Sequence, residues 1–218
     1  MSERGKYIVI EGNDGTGKST QVERLQKRLA SVGIRSSQIH EPDGPPTAAK
    51  LRDIIKDGRL ERDPWSNVML FTTSRRLSWI QHMQPALERG EYVVAARNWY
   101  STVAYQGYGQ GVPIDRIEAF TRENISEEYL RPDLTLILTL DPSERVQRIA
   151  KREELDRPDT FESLPQDFQD RVDAGYITFA HEQGIDTIDA TRTIDEVEKD
   201  IWTRVEGLID RSDHETIS

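Results

Sequence analysis

The chain reads as an α/β fold, a five-stranded parallel sheet with helices on both faces, organised around a phosphate-binding loop. Three observations predict it. Short apolar runs alternate with amphipathic helical stretches from end to end, the order that builds parallel sheets through crossover helices. The runs at 7–10 and 92–96 are apolar at successive positions, as strands buried on both faces require. A glycine-rich segment, residues 12–20, stands between the first apolar run and the first helical pattern.

The elements follow in order. Residues 7–10, Tyr-Ile-Val-Ile, form the first strand, and the helical pattern 19–30 leaves the glycine-rich segment. Residues 36–40 make a second strand that ends in a loop rich in Pro, Asp and Gly, followed by a short helix over 47–56. Asp63 and Pro64 supply an N-cap and a first-turn proline for a long helix running towards Gly90, and Pro85 should kink or interrupt it. Residues 92–96 are a third strand, 97–108 a helix ending in the glycines 107, 109 and 111, and 114–124 another helix. Residues 134–140 give the clearest strand, and Asp141-Pro142-Ser143 opens the helix after it. A helix over 168–183, a fifth strand over 185–189 and a helix over 194–209 complete a single domain spanning 1–210, with 211–218 as a frayed tail.

Composition sets the boundaries of function. At 218 residues and 25.0 kDa the chain supports one large core. It has no cysteine, which excludes disulfides, thiolate metal sites and cysteine nucleophiles. A net charge of -10 argues against a general nucleic-acid binder, because polyphosphate is repelled outside any local basic patch. No run approaches a membrane span and the N-terminus lacks the apolar core of a signal peptide, so the expectation is a cytoplasmic protein with no membrane partner.

The segment Gly12, Asn13, Asp14, Gly15, Thr16, Gly17, Lys18, Ser19, Thr20 fits the pattern G-x-x-x-x-G-K-[ST] and defines a P-loop NTPase fold. Its glycines let successive backbone N–H groups turn towards an anion, and the following helix points its positive end at the same spot. Lys18 is suited to the β- and γ-phosphates of ATP, and the Ser19 hydroxyl to Mg²⁺. No Asn-Lys-x-Asp tetrapeptide occurs, which speaks against a GTPase switch.

Five separated segments carry a resemblance to a family. They are the loop 12–20; Glu41-Pro42 with Leu51-Arg52; Leu70-Phe71 with Arg75; Arg97 and Ser101 with Ala104-Tyr105-Gln106-Gly107; and Leu155-Asp156-Arg157. Together they resemble thymidylate kinases, nucleoside monophosphate kinases that phosphorylate dTMP, from Tyr7 to about Val205. The resemblance implies an ATP- and Mg²⁺-dependent kinase, a homodimer packed through helices, and an arginine-rich lid over roughly 148–160. It implies that Phe71 stacks on thymine, Arg75 bonds the base edge, and Arg52 and Arg97 hold the acceptor phosphate. It further implies that Asp14 accepts the sugar 3'-hydroxyl and that Tyr105, with Gln106 beside it, crowds the 2' position. Gly15 stands where an alternative type carries arginine, so the lid must supply that charge, and Arg152 and Arg157 are the candidates.

Each residue also has a plainer role open to it: a core aromatic for Phe71, surface ion pairs for the arginines, and a solvated charged helix for the lid. Two positions depart from the family pattern. Ala96 stands where an aspartate associated with Mg²⁺ usually precedes Arg97, leaving Glu11, Glu41 or Asp141 to act through water. His40 stands where an arginine commonly precedes Glu41-Pro42. The rival functions are a kinase for dUMP or dCMP and a catalytically silent nucleotide-binding module.

Overall fold

A computed structural model describes residues 4–151, 161 and 164–215. Its centre is a parallel sheet of five strands: β1 (Tyr7–Gly12), β2 (Ser36–His40), β3 (Tyr92–Ala96), β4 (Leu134–Thr139) and β5 (Asp186–Asp189), in the order β2-β3-β1-β4-β5. β1 therefore lies in the middle, with β3 on one side and β4 on the other. The loop leaving its carboxyl end emerges where the strand order reverses, the place where open α/β sheets bind ligands.

Alternation along β1 divides the core between the two faces. Ile8 and Ile10 pack with Val22, Leu25 and Leu29 of helix α1 (Lys18–Ser31) and with Val197, Ile201 and Val205 of α10 (Ile194–Glu215). Tyr7 and Val9 face the other way, towards Val68 of α3 (Pro64–Ser78), Ile117 of α6 (Ile114–Asn124) and Phe179 of α9 (Gln166–Gln183). A third cluster beside the cleft joins Ile55 of α2 (Pro46–Lys56), Ile137, Phe161, Phe168 and Tyr176.

Several predicted boundaries are corrected. The long helix after Asp63 is three pieces: α3, a π-helical turn over Trp79–Met83, and α4 (Gln84–Glu88). Pro85 cannot donate to the helical ladder, and the wide turn just before it absorbs the misfit. The helix predicted from residue 97 starts two residues later, as α5 (Trp99–Thr102), because the Asn98 side chain accepts from the Tyr100 N–H and caps it. It then continues π-helical over Val103–Gly109, past Gly107, and ends at Gly109 within the glycine run expected to end it. A short helix α7 (Glu127–Leu130), capped by Ser126, lies where none was predicted. Helix α8 (Pro142–Ala150) begins at the Asp141 cap as expected, and α10 runs on to Glu215, so the helix takes in part of the predicted tail. No helix among the described residues is long and apolar enough to cross a membrane.

Candidate active site

The loop between β1 and α1 has its shape because of its glycines. Gly12 has φ of 138°, and a Cβ there would come within 2.4 Å of the Leu138 carbonyl oxygen on the neighbouring strand. Only glycine lets β1 end so close to β4. The hydroxyl of Thr16 and the ammonium of Lys18 both donate to the Asn13 carbonyl, at 2.9 and 2.8 Å, which draws the loop into a ring. Lys18 is nearly buried and lies 4.0 Å from the Asp14 carboxylate.

Arg97 follows β3 directly and adopts φ of 75°, the left-handed conformation, at a cost of roughly 1–2 kcal/mol for a residue with a side chain. Its N–H donates to the Ile10 carbonyl at 3.1 Å, which continues the sheet pairing one step beyond the strand. The side chain turns back under the loop, where one guanidinium nitrogen pairs with Asp14. The other donates to Ser101 Oγ at 3.0 Å and to the Tyr176 hydroxyl at 3.3 Å.

Charge is concentrated here under low exposure. Burial alone would raise the Asp14 pKa, but Arg97 and Lys18, with the Tyr105 hydroxyl, hold it well below the usual carboxylate range. Burial works against the Arg97 charge too, yet Asp14 and the groups around it keep the guanidinium protonated. Tyr105 stands over the same pair, its hydroxyl within reach of Asn13 Oδ1 at 2.6 Å and Asp14 Oδ2 at 3.0 Å.

A cleft of about 300 Å³ opens in front of these groups. The loop end is lined by Asp14, Gly17, Lys18, Ser19 and Thr20, and the far end by Arg52, Phe71, Arg75, Tyr105 and Gln106, with Arg97 between. All the residues assigned from sequence to the acceptor thus share one space with the glycine-rich loop. Phe71 forms a wall, tilted against Phe161 at 5.8 Å and beneath the Arg75 guanidinium at 5.1 Å. Arg75 itself is buried, donating from Nε to Glu41 at 2.7 Å and from Nη1 to Thr102 at 2.5 Å. Burial pushes Glu41 up to about 7, against the pull of Arg75 and the Tyr129 hydroxyl. The Gln106 side chain is fully buried, and its Oε1 has no hydrogen-bond partner among the described residues. Arg52 reaches Asp43 at 3.5 Å. Of the other loop residues, Asn13 and Thr16 are buried and brace the loop from behind.

The lid arginines Arg152 and Arg157 lie outside the described residues. Several contributors were not identified from sequence. Phe161 completes the aromatic wall, and Asp173 of α9 accepts from the Asn13 amide at 2.7 Å. Arg145 of α8, buried and 3.5 Å from Asp173, has its Cγ 3.2 Å from where a Cβ on Gly15 would stand. The only sequence signal for the arginine was its place among other basic residues after Asp141. Of the three acids considered for the metal, Glu11 is buried under the loop with five donors, Glu41 is engaged by Arg75 and Tyr129, and Asp141 caps α8 through Ser143.

A glycine loop at the carboxyl edge of a parallel sheet, sharing its cleft with a guanidinium cluster and an aromatic wall, belongs to the P-loop nucleoside monophosphate kinases. These are phosphotransferases that use ATP. More narrowly, the chain is a member of the thymidylate kinase family, whose sequence model, described as "Thymidylate kinase", matches residues 10–201. It is 37% identical over 204 residues to the thymidylate kinase of Deinococcus radiodurans, covering 93% of this chain and 97% of that one. The thymidylate kinase of Chromobacterium violaceum is 36% identical over 210 residues, with 95% and 97% covered, and that of Psychrobacter sp. 36% over 207, with 92% and 97%.

Proposed function

We propose that this chain transfers the γ-phosphoryl of ATP to dTMP, giving ADP and dTDP by direct in-line displacement with no covalent enzyme intermediate. The observation that carries this reading is the shared cleft, which has a triphosphate loop at one end and Phe71, Arg75, Tyr105 and Gln106 at the other. Such chemistry asks the protein for positioning and charge stabilisation. Lys18 and the loop amides hold the donor phosphates, while Arg97 and Arg52 hold the acceptor phosphate. Phe71 stacks on the base, and Arg75 and Gln106 meet its edge. Asp14 accepts the sugar 3'-hydroxyl and Tyr105 crowds the 2' position. A lid arginine, Arg152 or Arg157, neutralises charge on the transferring group.

Among the described residues no cluster of three acidic or histidine side chains could cage a metal, and Ala96 brings no carboxylate to the cleft. The donor set that is present fits Mg²⁺ arriving with ATP, since that ion keeps several waters and needs few protein ligands. Ser19, at the helix start and lining the cleft, would hold it. Bound there, Mg²⁺ neutralises phosphate charge.

The acidic net charge supports small nucleotides over nucleic acid as partners, and a reaction drawing on ATP and dTMP implies the cytoplasm. The reading includes a single kinase domain and a homodimer packed through helices. The exposed side chains of Met69 on α3 and Ile80 in the turn after it support a helical interface. Sedimentation of the purified protein at two concentrations tests the dimer.

Initial rates with dTMP, dUMP and dCMP test the acceptor. The expected order puts dTMP first, with dUMP lower by the roughly 10- to 200-fold that one methyl group can impose, and dCMP lower still because its base edge differs. A higher kcat/KM for dUMP or dCMP would overturn the choice of dTMP.

A further inference from the structure

The mechanism above leaves one fully buried charge without a task. Glu11, at the carboxyl end of β1, is 0% exposed, and the groups that bond it are neutral. Its Oε1 accepts the N–H of Asn98 at 2.7 Å and of Ser101 at 3.0 Å. Its Oε2 accepts the N–H of Gly12 at 3.2 Å and the Tyr176 hydroxyl at 2.9 Å, and the Ser101 hydroxyl is within 3.0 Å of both oxygens. Keeping a carboxylate dry on neutral donors is expensive, and a neutral side chain would serve a merely structural joint more cheaply.

The two hydroxyls explain what the charge achieves. An ionised carboxylate can only accept, so the protons of Ser101 and Tyr176, whose hydroxyl oxygens also lie 2.9 Å apart, run towards Glu11 either directly or one through the other. Their lone pairs are then turned outwards, and both face the same Arg97 nitrogen, at 3.0 and 3.3 Å. A linked relay therefore runs from guanidinium through the two hydroxyls to the carboxylate, with its direction set at the Glu11 end. The guanidinium is held further by Asp14 and, at 3.4 Å, by the Gly12 carbonyl. We infer that Glu11 is a positioning residue for the acceptor site: by polarising Ser101 and Tyr176 it fixes the plane in which Arg97 meets the acceptor phosphate. The inference rests on the proposed assignment of that phosphate to Arg97.

Glu11→Gln keeps the shape but introduces an amide donor that must face one set of donors and reverse a relay. The test is a double-mutant cycle read as dissociation constants for dTMP and for ATP, by calorimetry, in the full chain, Glu11→Gln, Arg97→Ala and the pair. Glu11→Gln should weaken dTMP roughly tenfold, the scale of one charge-assisted hydrogen bond, with ATP changed less than about twofold. In the Arg97→Ala background the same change should cost less than about twofold. Should Glu11→Gln weaken both ligands equally, or multiply the Arg97→Ala defect by its full factor, Glu11 is a structural brace and the inference fails. If Arg97→Ala leaves dTMP affinity untouched, the phosphate assignment itself is wrong, a separate outcome. Tyr176→Phe and Ser101→Ala each remove one hydroxyl of the relay and serve if the Glu11 variant does not fold. Each should weaken dTMP severalfold in the parent and not in Arg97→Ala, and no loss from either would also overturn the proposal.

Discussion

His40 and Ala96 are register partners, side by side at the carboxyl ends of β2 and β3, and both line the cleft. The sequence marked each separately as a departure from the family pattern, one lacking an arginine and the other an aspartate. The fold makes them a single change in which two opposite charges are missing from adjacent positions. Returning only the carboxylate by Ala96→Asp would bury a charge at a site 4% exposed. This variant should lower the Mg²⁺ concentration for half-maximal activity but cost about 1–3 kcal/mol of stability. Adding His40→Arg should recover at least half of that loss. Denaturant unfolding and Mg²⁺ titration at fixed ATP check both effects; additive losses in the double variant would show that the positions are not coupled.

Lys18→Ala should lower kcat by at least about 10²-fold, because a preorganised charge at the transferring phosphates acts mainly on the transition state. Its hydrogen bond to the Asn13 carbonyl and its 4.0 Å approach to Asp14 are both to loop groups, so the melting temperature should move by only a few degrees. Activity near the parental level would contradict the loop assignment.

Phe71→Ala should raise the KM for dTMP more than that for ATP, by the roughly 1–3 kcal/mol that base stacking supplies. Phe71 is half-buried, and its contacts to Phe161 and Arg75 lie on the cleft wall. An equal rise in both KM values with a large fall in melting temperature would identify it as a core residue.

Glu41 gives a stability signature with a definite sign. Burial raises its native pKa to about 7, above an unfolded value of 4.5, so between those values the folded protein binds the extra proton. Its contribution is complete below about pH 4.5 and is lost as pH rises through 7, on the order of 3 kcal/mol in all. Asp14, held below its ordinary value, acts in the opposite sense, and its contribution disappears only as pH falls below 3.8. In Glu41→Gln the decline from pH 4.5 to 7 should flatten relative to the parent, measured as unfolding free energy against pH. Parallel curves would contradict the assignment.

Much of this was legible in the chain. Strand and helix alternation, the glycine loop and the caps at Asp63 and Asp141 are local signals, and each element they define is present. Phe71 and Arg75, the residues proposed to meet the acceptor, lie four apart on one helix, and their common pocket follows from spacing. What was not legible depends on tertiary packing. The π-helical stretch over Val103–Gly109 lies so close against α9 that a Cβ on Gly109 would stand 2.6 Å from the Phe168 ring and one on Gly175 2.6 Å from Tyr108. No periodicity encodes that approach. Arg97 reads as the first residue of a helix, whereas the pairing of its N–H with Ile10 and the cap at Asn98 hold it outside one. From sequence Glu11 is only one of three acids that could act on Mg²⁺ through water; its partners Ser101 and Tyr176 are 90 and 165 residues away.

The central claim is that one cleft brings ATP and dTMP together for direct transfer, and following the label from γ-labelled ATP tests it most directly. The purified protein with Mg²⁺ and dTMP should move the label into dTDP with ADP formed in equal amount, and without dTMP should release little labelled phosphate. Binding of both nucleotides with no labelled dTDP at any Mg²⁺ concentration would contradict the account and leave the chain a silent nucleotide-binding module.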